Sequence, residues 1–402
     1  MQVFERPVPT PDAPRNRAQT TAELALSGAS VASTATALPA HRYPQRQLAQ
    51  LAAQYIGGSQ HRETAVGRFF ERVGVGERHL ALPVEEYLQL GGMAKRSQAW
   101  LKVATALGRQ TIEALLAETG LAARDIGQLT TTTVTGIAVP SLDARLMNLL
   151  PFSPSLKRVP LFGLGCLGGA AGLARTAEYL RAFPDEAAIL LSVELCSLTF
   201  QADDVSVANL VSTGLFGDGA AAVLLVGARH PLASKPRTSA PRIGGGGPRL
   251  ASALRTASGP RVVSSRSVFF PDTERVMGWD VVDTGFKVVL SADVPTIVRR
   301  HVPGAVDAFL GDHGLSRADV ATWVLHPGGP KVIDALEESL DLPPTALAPT
   351  REGLAAFGNL SSASVLFLLD EYRRRRAPAP GSYGLLMAMG PAFCAELVLL
   401  RW

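Results

Sequence analysis

Cysteine is scarce in this chain: three residues, Cys166, Cys196 and Cys394, in 402. They lie far apart in sequence, which excludes a disulfide framework and any metal-ligand spacing and fits a reducing cytosol, so no metal site is expected. Long apolar runs are also missing; none reaches the roughly 18 residues that a bilayer-spanning helix needs. The amino terminus lacks a basic start followed by an apolar block, so no secretory signal is expected and the cytoplasm is the expected compartment. Charge of one sign is not in excess: 39 Lys and Arg stand against 35 Asp and Glu, a net +4. With 6% aromatic residues and no basic repeat, nothing resembles a nucleic-acid surface.

Hydrophobic residues are plentiful, at 47%, enough for a large core. Residues 1–44 are rich in Pro, Thr, Ala and Ser and are expected to form a disordered extension. Helical patterning begins near Gln45, and a second helix over 64–73 turns Phe69 and Phe70 inward, with Arg68 and Arg72 on one face. A long helix is expected from Gln98 to Thr119, stopped by Gly120, then a β-branched strand over 129–134. Ala187 to Val193 is a continuous apolar run of buried-strand length, and Ala220 to Val226 reads as another strand. Residues 231–262 are rich in Gly, Pro and Arg and read as a surface loop between two halves. After it comes the same order again: helix 294–312, strand 323–325, helix 331–340, helix 362–376 and strands 383–389 and 395–402. This grammar predicts an α/β protein of mixed sheet covered by helices, pseudo-duplicated as halves 45–230 and 263–402.

Two glycines precede Cys166 and two follow it, in Gly163-Leu164-Gly165-Cys166-Leu167-Gly168-Gly169, between a strand end at Phe162 and a small-residue helix. A thiol at a helix tip loses its proton more readily, and the thiolate is the nucleophile. The same turn suits a core cysteine beside a flexible loop, and the residues leave both readings open. His326, before Pro-Gly-Gly, and Asn359, after Gly358, also sit at strand-to-helix turns in apolar surroundings. A His ring nitrogen and an Asn amide can hold an enolate or an oxyanion, although each also suits an ordinary turn.

Four passages together resemble the type III polyketide synthase family, whose plant members are the chalcone synthases: GCLGGA around Cys166, LFGDGAAAVLL from Leu215, HPGGPKVID from His326 and GNLSSASVLFLLDE from Gly358. The resemblance runs from about residue 45 to the carboxyl terminus. It implies a thiolase-like αβαβα layered fold in which Cys166 carries the growing acyl chain. His326 and Asn359 would then polarise the thioester and stabilise the enolate left when malonyl-CoA loses carbon dioxide. Malonyl-CoA and an acyl-CoA are the implied substrates, with no cofactor, an acyl-carrier protein as an alternative starter donor, and a homodimer as the implied assembly.

The resemblance also assigns surrounding residues. Phe216 matches a gatekeeper between the CoA tunnel and the cavity, and the second gate aromatic falls near Phe286, with an ungapped match on Val288. Arg68 and Arg72 match two basic CoA contacts, a third falls on Ala65, and Lys331 lies near the same mouth. Val139 matches a loop that crosses to the partner's cavity, and Gly390-Pro391 a cavity loop in which Ala388 and Ala392 replace glycines. Cys196 and Thr199, in VELCSLTFQ, match cavity-lining positions, and this wording resembles the bacterial alkylpyrone and alkylresorcinol synthases, which take fatty acyl starters. The competing expectations are a single-step condensing enzyme, such as a β-ketoacyl-ACP synthase III or an HMG-CoA synthase, and a catalytically inactive homologue acting as a binding protein.

Overall fold

The structure, a computed structural model, describes residues 28–54, 60–233 and 259–402. Thirteen strands are found among the described residues: β1 Ser30–Ala37, β2 His41–Pro44, β3 Glu77–Leu80, β4 Ile126–Thr133, β5 Lys157–Phe162, β6 Ala187–Leu195, β7 Asp218–Val226, β8 Arg261–Phe269, β9 Met277–Val282, β10 Gly285–Leu290, β11 Val320–Leu325, β12 Tyr383–Gly390 and β13 Cys394–Arg401. Nine form one sheet in the order β11-β12-β13-β8-β1-β7-β6-β4-β5. Two hairpins stand apart from it, β2 with β3 and β9 with β10.

The duplication is visible in the pairing. In the first half β1 pairs antiparallel with β7, β7 antiparallel with β6, and β6 parallel with β4. The second half repeats this: β8 antiparallel with β13, β13 antiparallel with β12, and β12 parallel with β11. The halves meet where Ser30 pairs with Arg261.

Four helices cover these strands: α1 Met93–Thr119, α2 Gly168–Ala182, α3 Val294–Gly311 and α4 Ser364–Glu371. Side chains alternate along a strand, so a strand buried on both faces feeds two cores. Ile189, Leu191 and Val193 of β6 join the core that holds Trp100, Ala104 and Ile112 of α1. Ala188 and Leu190 join a central core with Leu173 and Ala177 of α2 and Val365 and Leu369 of α4. In the second half, Leu386 and Val398 face that central core, whereas Leu385 and Leu397 face Val298 and Val302 of α3. The layers therefore run helix, sheet half, paired helices, sheet half, helix, as the resemblance implies.

Two boundaries differ from expectation. Ser30–Ala37 is not part of a disordered extension but a central strand between β7 and β8, and His41–Pro44 pairs with β3. Its sequence, SVASTATA, has low hydrophobicity because the site admits only small side chains; Ser33 and Thr34 are fully buried, and Thr34 Oγ1 donates to Asp370 Oδ1 at 2.5 Å. The loop assigned to 231–262 ends sooner, since β8 begins at Arg261; its residues 234–258, like 1–27 of the extension, lie outside the described residues. No helix among the described residues is long and apolar enough to cross a membrane.

The first residue of β7 is a buried carboxylate. Asp218 accepts from the Ser197 amide at 2.8 Å, the Ala81 amide at 2.6 Å and the Ser197 hydroxyl, tying β7 to two loops. Burial nonetheless raises its pKa to about 6. Because Asp218 binds its proton more tightly folded than unfolded, that stability is complete below the unfolded value and is lost as pH rises towards 6. Urea titrations should show unfolding free energy falling by on the order of 2 kcal/mol between pH 4 and 6 from this group, the remainder being lost on either side of that window. The slope should be smaller in Asp218→Asn; an unchanged slope would contradict the assignment.

Candidate active site

The Cys166 turn is built by close approach. Gly165 has φ +53°, a left-handed conformation, and a Cβ there would meet Pro391 Cδ at 2.5 Å. The turn Gly165–Leu167 runs directly into α2. Its counterpart in the second half, Ser361–Ala363, runs into α4, and Ser361 repeats the left-handed φ at +49°. The two turns face each other so tightly that a Cβ on Gly169 would lie 2.1 Å from Ser362 O.

Across this gap Cys166 Sγ donates to Ser361 Oγ at 3.6 Å, and the Ser361 amide donates to Asn359 Oδ1 at 2.8 Å. Asn359 is buried, and with its oxygen engaged the carboxamide keeps its NH2 as donor. Its backbone is pinned to the gate segment, since Asn359 N donates to Leu215 O at 2.9 Å and Gly217 N to Asn359 O at 3.0 Å. His326 stands at the end of β11, buried, its amide donating to Met387 O of β12 at 2.9 Å. The far end of β12 carries the Gly390–Pro391 turn that packs on Gly165. Cys166 and Asn359 are thus joined through one serine, and His326 reaches the same end of the sheet through β12.

Electrostatically the resting site is neutral. Burial pushes the Cys166 thiol up to about 12, and the Ser361 hydroxyl and the helix tip do not offset it; the nearby Glu194 carboxylate adds to the rise. The direction is opposite to the lowering expected at a helix tip, and desolvation is its largest cause. Burial pushes His326 down to about 3, and its Nδ1 has no hydrogen-bond partner among the described residues.

Behind Cys166 lies a carboxylate that sequence reasoning missed. Glu194, fully buried on β6, accepts from Thr135 Oγ1 at 2.8 Å, Val134 N at 3.1 Å, Thr133 Oγ1 at 3.3 Å and the Ser362 hydroxyl. Burial still raises its pKa. An acid inside the apolar run AAILLSVEL was the available signal.

Cys196, Thr199 and Phe216 line one cavity with Leu48, Leu51, Tyr87 and Phe200. Its open volume is about 100 Å³, and Arg78 and Ser197 also reach its wall. The Thr199 hydroxyl is turned away, donating to Cys196 O at 2.7 Å, which leaves the wall apolar. Phe286 and Val288 are both buried, on the same face of β10. Phe286 stacks on Phe162, with ring centroids 6.1 Å apart. The ring beside Phe216 belongs instead to Trp279, centroids 6.1 Å apart, directly across the hairpin from Val288. An aromatic ring thus stands near Phe216 from the paired strand rather than from Val288, a placement visible only once the register is known.

Val139 is 93% exposed, at the loop expected to cross to a partner. Arg68 and Arg72 are exposed on helix Gln60–Arg72, and Lys331 is exposed on helix Pro330–Leu340. Gly74, two residues after Arg72, approaches Pro330, which precedes Lys331.

Trp279→Ala should enlarge the cavity beside the gate. Longer or bulkier products should follow, and Trp279→Ala with Val288→Phe should restore the original distribution. Mass analysis of products checks this; an unaltered distribution in the single variant would show that the ring beside Phe216 does not limit product size.

Comparison with known proteins agrees with this geometry. Residues 18–230 match the family model for the amino-terminal domain of chalcone and stilbene synthases, and residues 261–402 match the carboxy-terminal one. The chain is 47% identical over 375 residues to a 1,3,6,8-tetrahydroxynaphthalene synthase of Streptomyces peucetius subsp. caesius, covering 93% of both chains. It is 36% identical over 380 residues to a putative chalcone synthase of Bacillus subtilis, covering 92% of this chain and 98% of that one. The crystal structure of the tetrahydroxynaphthalene synthase of Streptomyces coelicolor A3(2), a bacterial type III polyketide synthase, superposes with a TM-score of 0.82 at 29% identity, covering 93% of this chain and 99% of that one. The chain belongs to the chalcone and stilbene synthase family and is a type III polyketide synthase.

Proposed function

We propose that this synthase loads a medium or long fatty acyl group from its CoA thioester onto Cys166, extends it with malonyl-CoA and closes the product to an α-pyrone or a resorcinol. The observation that carries the starter is the narrow apolar cavity lined by Cys196, Thr199 and Phe216. Leu48, Leu51, Val84 and Phe200 complete a mostly apolar lining, which favours an alkyl chain because such a chain brings no polar group to be satisfied there.

The chemistry follows from the neutral resting pair. The Cys166 thiol passes its proton to His326 as sulfur attacks the acyl carbonyl, and CoA leaves with that proton as the free thiol. Malonyl-CoA then enters with its thioester oxygen held by a His326 ring N–H and the Asn359 NH2. Loss of carbon dioxide places the electron pair on that oxygen as an enolate, which the two donors stabilise. The enolate carbon attacks the acyl-Cys166 carbonyl, the C–S bond breaks, and the lengthened chain leaves on CoA for the next round. Arg68, Arg72 and Lys331 hold the CoA phosphates at the entrance.

A second reading is favoured by the relationship to the Streptomyces peucetius enzyme. A tetrahydroxynaphthalene carries no alkyl arm, so that product needs no fatty starter. The purified protein, given malonyl-CoA alone or with a panel of acyl-CoAs, separates the two. Medium or long acyl-CoA should give a kcat/KM at least about tenfold above that of p-coumaroyl-CoA. Cys196→Phe should shorten the accepted chain. Equal turnover of the aromatic starter, or a single product from malonyl-CoA whatever else is added, would contradict the fatty-starter reading.

A second copy of the chain is the proposed partner, and the cytoplasm the proposed compartment. β5 is the outermost strand of the sheet and keeps an open edge, and Ile137, Val139 and Phe162 beside it are large exposed apolar residues. Sedimentation at micromolar concentration should give a dimer, weakened in Val139→Asp; a wild-type monomer would contradict this.

A further inference from the structure

We propose that Arg78 is a positioning residue that sets the gate Phe216 and the donor Asn359 relative to each other, and thereby controls malonyl-CoA decarboxylation. The proposal rests on the condensing role given above to Asn359.

Arg78 lies on β3, outside every motif that the sequence singled out, and is 4% exposed. Its surroundings are the carboxyl end of helix Val207–Leu215, where four carbonyls lack intrahelical partners. All four are satisfied, two by Arg78, one by Gln45 and one by Asn359. Arg78 Nη1 donates to Thr213 O at 2.6 Å and to Phe216 O at 2.8 Å. Gln45 Nε2 donates to Gly214 O at 2.7 Å, and Gln45 Oε1 accepts from Arg78 Nε at 3.0 Å. The remaining carbonyl, Leu215 O, accepts from the amide of Asn359 itself at 2.9 Å. The gate residue and the enolate donor therefore hang on one capping arrangement, with Arg78 at its centre.

The stem of Arg78 adds a second constraint. A Cβ on Gly358 would lie 3.2 Å from both Arg78 Cγ and Cδ, so the arginine stem is the floor on which the turn before Asn359 rests. Gly358 has φ +73°, which an ordinary residue adopts at a cost, and a Cβ there would also meet Leu215 O at 2.8 Å, so the turn is held between that carbonyl and the stem. The guanidinium is held over the Phe70 ring, 5.7 Å from its centroid, and Asp218 supplies the nearby negative charge. A positive group at the carboxyl end of a helix also complements the dipole. Lysine cannot reproduce the fork that reaches Thr213 O and Phe216 O from one nitrogen and Gln45 from another.

Loosening this arrangement moves Asn359 away from the thioester oxygen and lets Phe216 drift, but leaves Cys166 on its own turn. The test uses the full-length protein and three readouts: acylation of Cys166 by labelled acyl-CoA, carbon dioxide release from malonyl-CoA, and the distribution of product lengths. In Arg78→Met, decarboxylation should fall about 30-fold or more while acylation falls less than about threefold, a split that partial unfolding does not produce. Products should become more varied in length, and Arg78→Lys should recover part of the decarboxylation. Should Arg78→Met fail to fold by circular dichroism, Gln45→Met, which removes the acceptor on Nε and the donor to Gly214 O, should give the same split in smaller degree. A folded variant with the wild-type ratio of decarboxylation to acylation, or one in which all readouts fall together, overturns the proposal. Failure of the wild-type protein to decarboxylate malonyl-CoA would instead overturn the reading of Asn359.

Discussion

Two helix tips meet in the middle of this molecule with no side chain between them. Gly169 of α2 lies so close to Ser362 O, ahead of α4, that a methyl group would force the helices apart, a cost on the order of 1–3 kcal/mol. Gly168 makes a similar approach to Thr132 Oγ1, and Gly390 to Leu164 O. These contacts bring the two halves of the sheet to a common core and place the first residues of two equivalent turns face to face. One turn carries the thiol of Cys166; the other carries Ser361, two residues after Asn359. The candidate site is a consequence of the duplication: Cys166 comes from one half, and His326 and Asn359 from the other.

Close packing also decides the electrostatics. Water excluded from the junction leaves the Cys166 thiol and the His326 imidazole in their neutral forms, since each alone is penalised for charge. The same dryness favours two hydrogen-bond donors over bulk water as the holders of an enolate, because fixed donors in a low dielectric need no reorganisation. Glu194, with four donors on its oxygens, stiffens the floor beneath both turns by joining β6 to Ser362.

Much of this was legible beforehand, for identifiable reasons. The apolar run of β6 reads as a strand buried on both faces because both faces are indeed core. The glycine spacing around Cys166 marks a helix tip under close approach, and family wording gives His326 and Asn359 a place. What stayed hidden depends on pairing. SVASTATA resembles a flexible extension because its apolar content is low, yet Ser33 and Thr34 lie in the centre of the sheet, where only small side chains pass between neighbouring layers. Trp279 reaches the gate through hairpin register with Val288, which local sequence does not encode. Arg78 sits six residues beyond an exposed arginine and is the buried one; only its acceptors, at positions 45, 213 and 216, distinguish it. The direction of the Cys166 shift was misread because a helix tip is visible in sequence and desolvation is not.

The most direct measurement is the position of the covalent intermediate. Intact-mass and peptide-mapping analysis after brief exposure to an acyl-CoA without malonyl-CoA should show one acyl group per chain, held as a thioester on Cys166 and discharged when malonyl-CoA is added. An acyl mass on Cys196 or Cys394, or none on any cysteine while product still forms, would contradict Cys166 as the residue that carries the chain.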